Sequence, residues 1–216
     1  MAKPECRVND ETTMTNGTAR AASDTRCVGR NLVVLSGPSG AGKTTVARAV
    51  AGRMGLALST SATTRPPRPG EADGVDYYFI TEEEFKKRID AGGFVEWAEV
   101  FGRYYGTPVE ELARARRAGR LLLLEIDVQG GIQIKRKFPE ALAILLLPPD
   151  PQALWARLSK RGTEAPEEAQ ARLAKAREEV DAARRSGSYD AEVVNDRLSV
   201  AIDEVVSRIQ QWRKRT

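Results

Sequence analysis

The sequence predicts an α/β protein built on a three-layer parallel sheet, with a phosphate-binding loop after its first strand. Three observations predict it. Strand-like apolar runs alternate with helical segments along most of the chain. Gly37 to Thr44 reads Gly-Pro-Ser-Gly-Ala-Gly-Lys-Thr, a full G-x-x-x-x-G-K-[ST] pattern. Leu121-Leu122-Leu123-Leu124-Glu125-Ile126-Asp127 is the near-continuous apolar run of a strand buried on both faces.

The elements follow in order. Leu32 to Leu35 reads as the first strand, and Thr45 to Ala51 leads out of the glycine-rich loop with helical character. Leu56 to Ser61 reads as a short strand, followed by a loop rich in Pro, Arg and Gly, then a strand from Tyr77 to Ile80. Thr81 caps a helix running to Asp90, with Glu84 completing a capping box. Phe94 to Val100 reads as a strand and Val109 to Ala118 as a helix. After the Leu-rich strand, Ala141 to Leu147 is another buried strand. Asp150 and Pro151 open a helix with a cap and Pro at its first position. A second helix runs from near Pro166 to about Arg185, a short strand covers Glu192 to Val194, and a helix from about Ser199 to Trp212 closes the fold. Residues 1–30 are polar and aperiodic and read as a disordered extension. They contain no apolar h-region, and Glu5, Asp10, Glu11 and Asp24 disfavour a transit peptide.

Composition excludes several classes. The net charge is +4 and spread along the chain, which does not suggest a nucleic-acid-binding protein. No apolar run approaches the length of a membrane span. Two cysteines, Cys6 and Cys27, are too few for a disulfide framework or a four-ligand zinc site, so a reducing cytoplasmic setting is expected. The chain has no histidine, which removes Ser-His-Asp and Cys-His nucleophiles and His-ligated metals. Phosphoryl transfer to another phosphate survives that exclusion. A phosphate monoester has its second pKa near about 6 and is largely ionised at neutral pH, so no general base is needed.

The loop itself points to a nucleoside triphosphate. Strand, glycine-rich turn and helix bring the backbone N–H groups of Gly37, Pro38–Ser39–Gly40–Ala41–Gly42, Lys43, Thr44 and Thr45 (Pro38 apart) toward phosphate oxygens at a helix N-terminus. Lys43 is placed to reach the β- and γ-phosphates, and the Thr44 hydroxyl to ligate Mg²⁺ brought with ATP. A second constellation, Ser61-Ala62-Thr63-Thr64-Arg65-Pro66-Pro67-Arg68-Pro69-Gly70-Glu71, sets two arginines three apart in a proline-stiffened loop shortly before Tyr77. Arginine forks and hydroxyls are the donors a phosphate monoester requires.

Over nearly all of residues 31–216 the chain resembles the guanylate kinase family. The resemblance is carried by SGPSGAGKTT, SATTRPPRPGEADGVDYYF, FVEWAEVFGRYYGT, LLLLEIDVQG, RGTEAP and EVVND, in that order. It implies a P-loop core with an inserted GMP-binding lobe (about 60–112) and a mobile lid (about 155–177), and Mg²⁺-dependent phosphorylation of GMP, and of dGMP, by ATP. By that resemblance Ser61, Arg65, Arg68, Tyr77 and Tyr105 hold the GMP phosphate. Glu96 reads guanine, with Gly106 and Thr107 beside the base. Asp127 touches substrate or metal-bound water. Arg157, Arg161 and Arg172 close over the triphosphate from the lid, and Asn195 lies near the adenine of ATP. Lys43, Arg68, Arg161 and Arg172 are then the catalytic cations. Glu125 stands where the family often has Asp, while Arg177, Arg184 and Arg185 read as a solvated helix face. Two other readings stay open: a scaffold module of guanylate-kinase type without activity, and a kinase for a phosphorylated sugar. The sequence leaves oligomeric state undetermined.

Overall fold

The computed structural model describes residues 28–159 and 166–215. The disorder expected for residues 1–30 falls, but for its last three positions, outside the described residues. Five parallel strands form the central sheet in the order β2-β7-β1-β8-β9: β1 (Leu32–Ser36), β2 (Ala57–Leu58), β7 (Leu122–Ile126), β8 (Leu142–Leu147) and β9 (Ala191–Val194). Alternation along β1 divides the core. Val33 and Leu35 pack with Val46 and Val50 of α1 (Lys43–Met54) and with Val205 and Ile209 of α7 (Leu198–Arg215). Leu32 and Val34 pack on the opposite face with Leu122, Leu124 and Ile134. That face is covered by α3 (Val109–Arg117), α4 (Val128–Lys137) and α6 (Pro166–Ser186), the last packing through Ala183 against Leu145 and Leu147. Helices on both faces make the three layers, as expected. Helix α5 (Pro151–Ser159) begins where Asp150 accepts from the Ala153 N–H at 2.7 Å, the anticipated cap.

A second, mixed sheet sits beside the first, in the order β4-β3-β6-β5. It comprises β3 (Ala62–Thr63), β4 (Tyr78–Phe79), β5 (Phe94–Val100) and β6 (Arg103–Pro108), with α2 (Glu82–Asp90) against it. Four differences from the sequence reading arise here and in α4. The expected strand at Leu56–Ser61 splits, giving β2 to the central sheet and β3, just beyond it, to the small one. Strand β6, unanticipated, pairs antiparallel with β5 through a turn in which Phe101 and Gly102 both have positive φ, 52° and 68°. Helix α4 was also unanticipated. Thr81 does accept from the Glu84 N–H at 3.2 Å, but the Glu84 carboxylate bonds Arg88 at 2.8 Å, so only half of a capping box forms.

The small sheet has its own core. Phe85 of α2 is fully buried, stacked on Phe94 with centroids 4.3 Å apart, and packed with Ala62. Phe85→Ala is expected to cost about 3–5 kcal/mol, because little else can fill the space. A lowered urea midpoint checks this.

Candidate active site

One cleft of about 660 Å³ opens at the carboxyl ends of the central strands and is walled on its other side by the small sheet. The strand order reverses about β1, with β7 on one side and β8 on the other, the place where α/β sheets bind ligands. Most of the sequence-predicted residues are gathered there: Gly37, Ser39, Gly40, Gly42, Lys43, Thr44 and Thr45 from the loop, Asp127 from the end of β7, and Ser61, Arg65, Arg68, Tyr77, Glu96, Tyr105 and Gly106 from the facing wall.

The loop turns tightly into α1. Gly42, at φ 90°, is the N-cap of α1, a conformation a side chain would strain. Lys43 Nζ donates to the carbonyls of Gly37 (2.7 Å) and Pro38 (3.1 Å). Ala41 is fully buried and, with Pro38, stands off the cleft wall. Asn195 is likewise set back from the cleft. It is buried behind the loop, where its Nδ2 donates to the Ala41 carbonyl at 2.8 Å, and it is not on the cleft wall. Its visible contact braces the loop.

The Thr44 hydroxyl donates to Glu125 Oε1 at 2.5 Å. A hydroxyl and a carboxylate side by side are hard oxygen donors, and they fit a Mg²⁺ ion that keeps much of its water and its phosphate ligands. Asp127 lies just past β7 as the N-cap of α4, its Oδ1 accepting from the Gly130 N–H at 2.8 Å. The Ser36 hydroxyl donates to the Asp127 carbonyl at 2.7 Å, tying this residue to the strand that enters the loop.

On the facing wall, Arg65 forms a two-pronged pair with Glu71, both N···O distances 2.7 Å. The paired hydrogen bonds raise the Arg65 pKa and hold the Glu71 carboxyl below its usual range. The Arg65 guanidinium lies 5.0 Å from the Tyr77 ring centroid, and Tyr77 meets Tyr105 edge-on at 6.1 Å. Arg68 is exposed, and its own N–H donates to Glu71. Glu71 therefore organises both arginines of this loop, a role that sequence reasoning missed.

Glu96 is the buried acid of the cleft, 4% exposed. Thr107 donates to its Oε1 twice, from N–H at 2.9 Å and from Oγ1 at 2.6 Å. Thr107 is itself fully buried and off the cleft wall, so it grips Glu96. Both of its donors are committed to Glu96. Burial pushes the Glu96 carboxyl up to about 7 against the pull of those hydrogen bonds, with Asp127 adding to the rise. Gly130 of α4 lies against Glu96: a Cβ there would meet the carboxylate, its carbon only 3.1 Å away. Gln133 on the same helix donates to the Trp97 carbonyl (2.7 Å) and accepts from the Trp97 N–H (3.4 Å), fixing β5 beside Glu96.

Several other groups escaped sequence reasoning. Glu111, 2% exposed at the start of α3, accepts from the Thr60 N–H at 3.0 Å and from Arg114, holding the approach to Ser61. Glu179 of α6 reaches the cleft; burial raises its carboxyl pKa, while Lys43 and the Ser39 N–H oppose the rise. Arg48, Asp76 and Arg103 also line the cleft. Arg161 lies outside the described residues. Arg157 and Arg172 fall on α5 and α6, with their side chains outside what is described.

Comparisons with known proteins bear on this geometry. A family model described as guanylate kinase matches residues 29–212. The guanylate kinase of Gloeobacter violaceus is 49% identical over 175 residues, covering 81% of this chain and 84% of that one. The guanylate kinase of Symbiobacterium thermophilum is 45% identical over 186 residues, covering 86% and 87%. A crystal structure of guanylate kinase from Anaplasma phagocytophilum resembles the fold with a TM-score of 0.68 at 31% identity, covering 84% and 85% of the two chains.

Proposed function

Because the chain belongs to the guanylate kinase family, we propose that this cleft transfers the γ-phosphoryl group of ATP to GMP, giving ADP and GDP. The observation that carries the reading is a buried carboxylate, Glu96, in the same cleft as an intact phosphate loop. Guanine presents N1–H and an exocyclic amine as adjacent donors, which a carboxylate accepts together. Adenine presents an acceptor at N1 and no 2-amino group, so it meets repulsion there.

In this reading the acceptor phosphate sits among Ser61, Arg65, Arg68, Tyr77 and Tyr105, in a lobe spanning about 60–112. The triphosphate lies on the loop N–H groups with Lys43 at its β- and γ-oxygens. An ionised oxygen of GMP attacks the γ-phosphorus as the bond to the ADP oxygen breaks. No proton needs removing, and the protein supplies position and positive charge. Arg157, Arg161 and Arg172 complete that charge from a lid at about 155–177, whose closure excludes water. Thr44 would hold Mg²⁺ entering with ATP, and Glu125 and Asp127 would orient its waters; the ion supplies charge neutralisation between the phosphates. We place dGMP among the acceptors and the reaction in the cytoplasm. Among the described residues no helix is long and apolar enough to cross a membrane.

The test is ADP release across GMP, dGMP, AMP, CMP, UMP and a ribose phosphate. Turnover confined to the guanine nucleotides is expected, with AMP disfavoured by about 10⁴-fold, the discrimination of a site built on a buried hydrogen bond. Turnover of the ribose phosphate, or none at all, would replace this reading with the sugar kinase or the inert scaffold.

Glu96 also gives the reaction a pH signature. Guanine needs the ionised carboxylate, so kcat/KM for GMP is expected to fall as pH drops through about 7. GMP's own phosphate protonates near about 6, and Glu96→Gln should remove only the upper step. For stability the sign reverses. A raised carboxyl pKa gives a contribution complete below the usual value of 4.5 and lost as pH rises through about 7, so bound GMP should stabilise the protein most above that pH.

A further inference from the structure

The proposed phosphoryl transfer needs two phosphates brought into register, one on the loop and one on the small-sheet wall. Arg48 lies on α1 one turn beyond Thr44, the i,i+4 spacing that places both on one helix face, and both line the cleft. Across the cleft, Asp76 immediately precedes Tyr77. Its Oδ2 accepts from the Ala72 N–H at 2.9 Å while its own N–H donates to the Ala72 carbonyl at 3.0 Å, so the carboxylate is fixed to its turn. Its Oδ1 takes Arg48 Nη2 at 2.7 Å. Through Tyr77 that turn meets Arg65 and Tyr105.

We propose that the Arg48–Asp76 ion pair is a clasp between the phosphate-loop helix and the acceptor wall, and that both are positioning residues for phosphoryl transfer. The inference rests on the ATP/GMP reading of the cleft and deepens it. The side chains are 59% and 21% exposed, so the pair contributes little to folding stability. Its effect belongs on the rate, because displacement of about 1 Å between reacting groups can cost about 10²-fold. The pair spans 28 residues of sequence and joins elements on the two sides of the cleft, so breaking it loosens the spacing between donor and acceptor without emptying either subsite.

A double-mutant cycle in the full chain tests it. Asp76→Asn keeps an oxygen for the Ala72 N–H and removes the charge; Arg48→Met keeps the stem and removes the guanidinium. Each single variant is expected to lower kcat by about 10-fold or more, with KM for ATP within about twofold of wild type. The double variant should be no worse than the poorer single, and Arg48→Lys should recover part of the loss. Urea midpoints should stay close to wild type. Arg208→Gln breaks an ion pair of comparable exposure on α7, away from the cleft, and should leave kcat unchanged. Additive losses, or single variants with wild-type kcat, would overturn the clasp alone. A wild-type enzyme that does not phosphorylate GMP would overturn the reading of the cleft, and the clasp with it.

Discussion

Glu96→Gln is expected to lower kcat/KM for GMP by about 10³-fold or more, with KM for ATP near its wild-type value. The direction follows from Thr107. Both of its donors point at Oε1, so in the variant only the amide oxygen can occupy that position. The amide NH₂ is then left at the other position, where it faces guanine donors with a donor. Adenine would lose its repulsion at the same step, so the preference for GMP over AMP should shrink along with the rate. Unfolding controls keep the test sharp. Glutamine carries no charge to bury, and above pH 7 the variant should be at least as stable as wild type. A loss of GMP turnover with unchanged or higher urea stability therefore reports recognition.

Lys43→Ala is expected to lower kcat by about 10³-fold, the scale on which a single preorganised donor to developing charge contributes. Lys43 is the first residue of α1 and already reaches back across the loop to the Gly37 and Pro38 carbonyls. Its ammonium is thus held over the cradle into which the triphosphate would settle. GMP binding should be nearly untouched, because Glu96, Arg65 and Tyr77 lie on the facing wall. Stopped-flow or steady-state ADP release, paired with calorimetry for GMP, separates the two effects. Arginine should not substitute, since its planar fork differs in shape from a compact ammonium.

What could be read from the chain and what could not divides by range along the sequence. The phosphate loop is local: eight consecutive residues fix its backbone, and the flanking strand and helix formed as expected. The buried runs of β7 and β8 are local too. Helix α4 was hidden because Gly130 and Gly131 lower helix propensity. Those glycines answer to tertiary needs, since side chains there would strike Glu96 and Tyr189. Strand β6 was hidden because its hairpin turns on Phe-Gly, without the Asn-Gly signal that usually marks two positive φ values in a row. Within the cleft, Glu96 is one acid among many in the sequence, and only the resemblance singled it out. Glu111 to Thr60, Gln133 to Trp97 and Arg48 to Asp76 join residues 51, 36 and 28 apart. No periodicity or spacing rule announces such pairs. Asn195 and Thr107 show the opposite limit. The resemblance named them for substrate contacts, and the structure adds what no motif carries: Asn195 holds the Ala41 carbonyl and Thr107 the Glu96 carboxylate.

One cleft is proposed to hold a guanine base on Glu96 and to present its phosphate to ATP on the loop of Lys43. A crystal structure with GMP and a non-hydrolysable ATP analogue tests it most directly. Guanine N1 and N2 are expected within hydrogen-bond distance of the Glu96 carboxylate, the GMP phosphate on Arg65 and Tyr77, and the triphosphate on the backbone of residues 39–45. Guanine bound away from Glu96, or the triphosphate held off that loop, would contradict it.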